Sequence, residues 1–165
     1  MGVGRGEIDV TVLSPSKRLS EDIPLEPSLQ LILGQDVYFA GFPLKMWSNG
    51  GELMHGRPLP FVKKGTLSAG WDPEDSVKRL YVDAINNEGF SGGPLVFHEH
   101  TSGQLKVAGV VSKFKIEEEP VLNAEGEKTE LKVQYNTGFL IAYGISHALE
   151  MIRLNPVGLP IDTAA

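Results

Sequence analysis

The chain has 165 residues, of which 41% are hydrophobic, and this excludes a disordered chain and fits one folded domain with a core. Its 15 basic and 21 acidic residues give a net charge of -6, and without a basic run we expect no nucleic-acid partner. Cysteine is absent, which excludes disulfides and thiolate zinc sites, and we expect no cofactor. No apolar run reaches membrane-spanning length, and residues 1–6 are not a hydrophobic signal segment.

The first apolar segment, residues 7–13, carries an acid inside a strand-like pattern. Ile8, Val10 and Val12 supply β-branched side chains, and they predict a strand here. Asp9 lies within that run. Because an unpaired buried carboxylate is costly, Asp9 is either solvated at an exposed edge or buried with a partner.

Apolar runs and turn signals alternate along the rest of the chain, after a proline-rich linker at residues 14–29. This pattern predicts an all-β barrel or sandwich. We expect strands at residues 31–33, 37–40, 61–69, 80–84, 94–97, 107–114 and 132–141, and turns at residues 34–36, 49–51 and 71–75. Residues 115–132 are acidic and predict a projecting hairpin with a solvated face. Helical spacing appears only in the tail, from Gly144 to Leu154, and Pro156 ends it.

One short stretch, Gly89-Phe90-Ser91-Gly92-Gly93-Pro94, combines a serine with three glycines. Glycine permits sharp bends that expose backbone N–H groups, so Ser91 is a candidate nucleophile beside a candidate oxyanion site. An ordinary tight turn between two strands is the alternative. The stretch also fits G-x-S-x-G, the nucleophile elbow of α/β-hydrolases, but that motif requires a helix directly after the serine. A strand pattern follows here, which excludes that class.

Residues 82–96, Val-Asp-Ala-Ile-Asn-Asn-Glu-Gly-Phe-Ser-Gly-Gly-Pro-Leu-Val, resemble the active-serine segment of chymotrypsin-like serine proteases. The bacterial trypsin-like group that includes the HtrA (Deg) proteases is the most similar. Further segments match in the family's order: Gly34–Pro43 resembles the opening strand pair of its C-terminal barrel, and Lys64–Ser68 its G-x-[IVL]-S strand. Gly109–Ser112 resembles the strand that pairs with substrate backbone, and Gly138–Ile141 the end of the domain. The resemblance covers about residues 7–154 and implies a chymotrypsin-like antiparallel β-barrel with a C-terminal α-helix.

The resemblance implies a serine endopeptidase that hydrolyses peptide bonds through an acyl-enzyme, with a polypeptide as its substrate. Ser91 would attack the carbonyl, the N–H groups of Gly89 and Ser91 would bind the oxyanion, and Asp9 would orient a histidine. Residues 9–13, Asp-Val-Thr-Val-Leu, match the family's D-[IV]-[AT]-[VL]-L pattern. That match favours a buried catalytic acid over an exposed edge residue.

The family's histidine precedes the acid, and no histidine precedes Asp9 in this chain. The four histidines present lie outside the small-residue context that the family uses, so we interpret them as ordinary histidines; they are His55, His98, His100 and His147. A serine without a base is a poor nucleophile, so we expect this chain alone to be inactive. We expect a truncated first barrel, with about 60 residues and the histidine upstream of Met1.

On this layout, residues 1–19 are the last strand region of the truncated N-terminal barrel and residues 20–29 are the inter-barrel linker. Residues 30–155 are the C-terminal β-barrel with its terminal helix, and residues 156–165 are a tail. The missing segment of the first barrel is then an expected partner of this chain.

Specificity in the family depends on the position six before the serine, which is Ile85 here. Phe114 stands where trypsin has a pocket-opening glycine, and the two residues predict a shallow apolar pocket for small aliphatic side chains. The other expected substrate-binding residues are Ser112, Lys113 and Gly138. The acidic hairpin of residues 115–132 would gate access to this pocket.

Phe90 departs from the family, which has Asp or Asn directly before the serine. An acid there can pair with a processed N-terminus, so Phe90 argues against that route of activation.

A second hypothesis is a catalytically inactive pseudoprotease or fragment that binds extended peptides along Val110–Lys113 by strand addition. The absent histidine favours it for this chain. The intact Ser91 and its glycines favour the enzyme.

Overall fold

The computed structural model describes residues 8–17, 25–70 and 76–158, and strands dominate them. The strands are β1 Asp36–Gly41, β2 Ser48–Asn49, β3 Pro58–Leu59, β4 Phe61–Ala69, β5 Arg79–Asp83, β6 Pro94–His98, β7 Leu105–Leu122 and β8 Lys128–Gly144. Two short 3-10 helices, Pro43–Lys45 and Gly51–Met54, flank β2, and one α-helix, α1 Ile145–Leu154, follows β8. The expected all-β class with a C-terminal helix is confirmed.

Six of these strands form a closed antiparallel barrel in the order β1-β4-β5-β8-β7-β6. The short strands β2 and β3 pair with each other outside it. Alternating residues of the barrel strands point inward, as in Val37 and Phe39 of β1 or Leu80 and Val82 of β5, and these side chains are fully buried. The core consists of Val37, Phe39, Leu67, Leu80, Val82, Phe90, Leu95, Phe97, Ala108, Val111, Leu140 and Ala142.

A buried histidine of helix α1 forms a hydrogen bond that holds the helix on the barrel. His147 is 7% exposed, and its Nε2 accepts a hydrogen bond from the backbone amide of Lys78 at 2.9 Å. The amide of Gly144, directly before the helix, donates to the carbonyl of Lys78 at 2.8 Å. Both bonds hold the helix start against the segment that enters β5. None of the helices among the described residues has the length and apolar character to cross a membrane.

Two predicted strands are wrong. Residues 8–13 and 31–33 form no regular strand, and residues 30–35 lead through a turn at Leu33-Gly34 into β1. A strand needs a neighbour for its backbone groups, and among the described residues neither segment has a ladder partner. The expected turn at residues 71–75 lies outside the described residues.

The C-terminal part of the linker docks on the barrel. Pro27 forms a parallel bridge with Val107, the amide of Ser28 donates to the Val107 carbonyl at 2.9 Å, and the Val107 amide donates to Glu26 at 3.0 Å. Lys106, only 7% exposed, forms an ion pair with the Glu26 carboxylate. The linker therefore lies on β7 as a short added strand. Residues 18–24 lie outside the described part of the chain.

Strands β7 and β8 are longer than predicted, and they project from the barrel as a two-stranded hairpin. Their pairing continues from Gly109 opposite Gly144 to Leu122 opposite Lys128. Asn123 closes the tip, where its side-chain oxygen accepts the amides of Glu125 and Glu127. The predicted projecting hairpin is confirmed.

Candidate functional site

Ser91 lies at the tip of a tight turn between β5 and β6. The amide of Gly93 donates to the carbonyl of Phe90 at 3.0 Å, which closes a four-residue turn with Ser91 and Gly92 at its centre. Gly92 has a φ of +83°, and a positive φ at the third position of a β-turn is the requirement of type II geometry. The turn presents the Ser91 side chain on the surface.

The base of this turn packs directly against the backbone of β1. The amide of Phe42 donates to the carbonyl of Gly89 at 2.8 Å. A Cβ atom at Gly93 would overlap the carbonyl oxygen of Ala40, so only glycine permits this approach. The glycines around the serine are thus explained by contact with the barrel as well as by the turn.

Phe90 anchors the turn in the barrel core. Its side chain is fully buried and meets the ring of Phe39 edge to face, with 5.1 Å between ring centroids. Above it, the Lys63 ammonium lies 5.5 Å from the Phe90 ring centre. The same ammonium donates to the carbonyl of Ile85 at 2.6 Å and to Oδ1 of Asn87 at 2.9 Å. Lys63 therefore ties the segment before the serine to β4.

A β-bulge in β7 lies beside the serine turn. Val111 opposes Ala142 and Lys113 opposes Ile141, so Ser112 is an extra residue in β7. The extra residue of a bulge leaves the regular ladder, and bulges are common next to active sites. Here the bulge leaves the Ser112 carbonyl and hydroxyl available for other partners.

Two hydrogen bonds through Ser112 connect the predicted acid to the predicted nucleophile. The Ser112 hydroxyl donates to Oδ2 of Asp9 at 2.6 Å. The Ser91 hydroxyl donates to the Ser112 carbonyl at 2.5 Å. Ser112 is 8% exposed and lies 103 positions from Asp9 in the chain, so the fold brings these distant residues together.

The side chain of Asp9 is exposed, although the resemblance leads us to expect a buried acid. Asp9 reaches the barrel through its bond to Ser112, and Ser14 Oγ donates to the carbonyl of Val157, beyond α1, at 3.3 Å. Neither contact covers the carboxylate. Asp9 is therefore exposed, as in the first alternative from the sequence, but it has a specific hydroxyl partner, as in the second.

The two backbone amides expected to bind an oxyanion donate no hydrogen bond within the described residues. The N–H groups of Gly89 and Ser91 donate to no acceptor within the described ranges, and both residues are exposed. By contrast, the adjacent amide of Gly92 is committed to the Val111 carbonyl at 2.8 Å. Both N–H groups are therefore available to an acceptor from outside the described residues.

The histidines lie elsewhere. His147 is in α1, bonded to Lys78, and His98 ends β6, where its Nδ1 lies 3.2 Å from the Gly103 carbonyl. His55 ends the second 3-10 helix, and His100 is exposed after β6. Within the described ranges, which include all four, no histidine hydrogen-bonds to Ser91 or Asp9.

Ile85 follows the end of β5, next to Ala84, which contacts Gly138 of β8. The amide of Ala84 donates to the Gly138 carbonyl at 2.8 Å, and Gly138 sits in an irregular part of β8. Asn136 stabilises this irregularity, since its Oδ1 accepts the Gly138 amide at 3.0 Å while its Nδ2 donates to the Asn86 carbonyl at 2.6 Å. Ile85 itself is 66% exposed, so it is not the covered floor of a cavity within the described part of the chain.

Lys113 and Phe114, the other expected substrate-binding residues, follow Ser112 directly on β7. Lys113 is exposed, and Phe114 is half-buried opposite Leu140. Ser112 thus lies beside Ser91 and continues into Lys113 and Phe114 on β7, while Gly138 lies in β8 and Ile85 follows the end of β5.

Sequence reasoning missed two contributors to this site. It assigned Ser112 to substrate binding alone, because a β-bulge leaves no signature in a run such as Val-Val-Ser. It gave Lys63 no role, since a lysine in a strand pattern is normally a solvated residue.

Comparison with models of known protein families gives no match for this chain. Comparison with curated proteins gives no match either.

Proposed function

We propose that Ser91 is the nucleophile of a chymotrypsin-like serine endopeptidase, with Asp9 as the acid of its triad. The observation that carries the proposal is the pair of hydrogen bonds from Asp9 through Ser112 to Ser91. The sequence motif selected Asp9 and Ser91 independently, 82 positions apart. Their convergence on a single bulged residue supports a common site.

In this mechanism Ser91 Oγ attacks a peptide carbonyl, and the Gly89 and Ser91 amides stabilise the tetrahedral oxyanion. The Ser91 hydroxyl gives its proton to an imidazole that Asp9 orients, and the imidazole passes it to the leaving amine. In the described structure that proton points to the Ser112 carbonyl instead. Catalysis therefore requires the hydroxyl to rotate toward a histidine that the described residues do not supply.

A fluorophosphonate probe tests the proposal on the full-length gene product. We expect stoichiometric phosphonylation that mass spectrometry places on Ser91 and that Ser91→Ala abolishes. Ser68→Ala is the control, because Ser68 is an exposed serine on β4, away from the turn, and its loss should leave labelling unchanged. Labelling no greater than in Ser91→Ala would refute the proposal.

Substrate preference follows from the two residues that the resemblance assigns to the pocket. The exposed aliphatic Ile85 and half-buried Phe114 carry no acid for a basic side chain. We expect cleavage after small aliphatic residues when the full-length protein is incubated with a peptide library. Cleavage mainly after Arg or Lys would contradict this specificity.

A peptide-binding module without catalysis is the second candidate. The hydrogen bond that engages the Ser91 hydroxyl and the open backbone beside Ser112 favour it. Peptide binding without fluorophosphonate labelling of the full-length protein would select this candidate.

A further inference from the structure

The outer edge of β7 beyond Ser112 is a row of backbone groups that no strand covers in the described part of the chain. β6 pairs with β7 only from Leu105 to Val110, and the serine turn engages Val111 and Ser112. From Lys113 onward β8 is the one strand that pairs with β7 within residues 8–17, 25–70 and 76–158. A free strand edge is a template for an added strand.

The side-chain hydroxyl of Thr137 shows which backbone groups face this edge. It donates from β8 to the Lys115 carbonyl at 3.0 Å, so that carbonyl points toward β8. Successive residues of a strand direct their backbone groups to opposite edges. Phe114 and Ile116 therefore face the open edge, and since the pairing is regular beyond Ile116, Glu118 does too.

Pro120 ends this row of donors. Pro120 lies two residues after Glu118, so its backbone groups also face the open edge. A strand tolerates the missing N–H of proline at such an edge. At the other end the row leads to Ser112, whose carbonyl accepts the Ser91 hydroxyl. A chain paired along this edge would therefore run directly to the serine, over about 20 Å at the usual rise of a strand.

The charge beside the open edge is acidic. Residues 115–135 contain six glutamates and three lysines, and three of the glutamates are consecutive at 117–119. Glu117 pairs with Lys115 at 2.5 Å and Glu118 with Lys132 at 3.5 Å, with 44% and 47% of the two carboxylate side chains exposed. Exposed pairs of this kind contribute little, so an incoming basic side chain can exchange for them.

A second copy of this chain is a poor occupant of the edge. In the register centred on Glu118, edge-to-edge pairing of two hairpins would bring the glutamates at 117–119 of one copy against those of the other, and like charges on neighbouring strands are destabilising. The acidic edge fits a basic segment of an extended polypeptide.

We infer that the open edge of β7 from Phe114 to Glu118 binds the substrate polypeptide by strand addition and selects basic side chains. In antiparallel pairing, the residues before the one at Ser91 lie along the hairpin, so the selected positions lie about four to eight residues before the scissile bond. The direction and register of the bound peptide rest on the proposed function. The existence of the open edge does not.

Fluorescence anisotropy with labelled peptides tests the inference on the Ser91→Ala form of the chain. The probe is an extended peptide of alternating Val and Thr, about ten residues long to match the edge, with lysines in its N-terminal half. One reference peptide carries glutamates at those positions, and another carries the lysines in its C-terminal half. We expect the probe to bind at least about fivefold more tightly than either reference.

Two further comparisons separate pairing at the edge from general attraction of charge. Glu118→Lys should abolish the preference, while Glu125→Lys, the same charge change at the hairpin tip, should retain most of it. Two peptides N-methylated at alternate amides, one at the odd and one at the even positions, should differ. The peptide whose methylated amides face β7 should not bind, and the other should bind normally. This last comparison leaves the protein unaltered and so does not depend on how a variant folds.

Equal binding of the three peptides, equal effects of the two substitutions, or equal binding of the two methylated peptides would overturn the inference. Labelling of Ser91 without selective binding would leave the proposed function standing and remove this inference alone. Selective peptide binding without labelling of Ser91 would support peptide binding at the β7 edge and refute the proposed endopeptidase function.

Discussion

Phe90, the residue directly before Ser91, belongs to the barrel core. Its ring fills the core beneath the turn and contacts Phe39. We expect Phe90→Ala to lower the free energy of unfolding by about 3–5 kcal/mol, because a fully buried aromatic side chain is lost. Urea unfolding measures the change.

Phe139→Ala is the matched control for this substitution, since Phe139 is 46% exposed on β8. It should cost less than about half as much. Equal losses for the two variants would show that Phe90 does not anchor the turn.

Lys63 has a role at the same scale, because it holds the segment before the serine by two hydrogen bonds. We expect Lys63→Met to speed amide exchange at Gly92 and Gly93 about five- to tenfold, the result of losing roughly 1 kcal/mol of local stability. Hydrogen exchange followed by NMR measures it. Lys64→Met is the control, since Lys64 pairs with Asp36 on the barrel surface. If Lys64→Met loosened the turn equally, the tie through Lys63 would be wrong.

For single residues, the sequence predicted which residues belong to the candidate site better than it predicted their exposure and hydrogen-bond partners. Asp9 and Ser91 could be selected from motifs, and they do converge on one residue. The exposure of Asp9 could not be predicted, since burial depends on what packs over residues 8–17. The contact of Ser112 with Asp9 depends on a bulge, which arises from the pairing of two strands and not from local composition.

Among the elements, the docked linker has a pH-dependent contact. The hydroxyls of Ser28 and Ser102 donate to the Glu99 carboxylate at 2.8 Å each, and they lower the pKa of Glu99 below its ordinary value of 4.5. A lowered pKa in the folded state means that the contact stabilises the ionised form. This stabilisation is complete above the ordinary pKa and is lost as the pH falls through the lowered one.

We therefore expect the Ser28 amide, which is bonded to Val107, to lose exchange protection as the pH falls through the lowered pKa of Glu99. Glu99→Gln should remove that pH dependence. The Phe42 amide, bonded to Gly89 in another part of the barrel, is the internal reference. Parallel loss of protection at both amides, with or without Glu99, would assign the effect to general acid unfolding.

Strand prediction succeeded where a neighbour exists in the barrel and failed where none does. The predicted bounds of β4 agree with the structure, since Phe61–Ala69 has partners on both sides. Residues 8–13 have an equally strand-like sequence but no ladder partner among the described residues. The full length of β7 and β8 was missed because their acidic outer halves are held by pairing with each other and not by burial.

For the whole molecule, closure of the barrel places the candidate site. The serine turn joins β5 to β6, and the bulge lies in β7, which pairs directly with β6. Closure then pairs β6 with β1, the strand against which the turn packs. The order of short strands and turns predicted an all-β domain. The strand order, and with it the meeting of Asp9, Ser91 and Ser112, follows from long-range pairing that no local pattern encodes.

The central claim is that Asp9 and Ser91 belong to one catalytic site. The rate of fluorophosphonate labelling of Ser91 in the full-length gene product, compared between the unsubstituted protein and Asp9→Asn, tests it most directly. We predict that Asp9→Asn slows labelling by at least about a hundredfold, because an amide cannot stabilise the charged imidazole. Asp36→Asn, which removes an exposed acid paired with Lys64, should leave the rate unchanged. An unchanged rate in Asp9→Asn would contradict the claim.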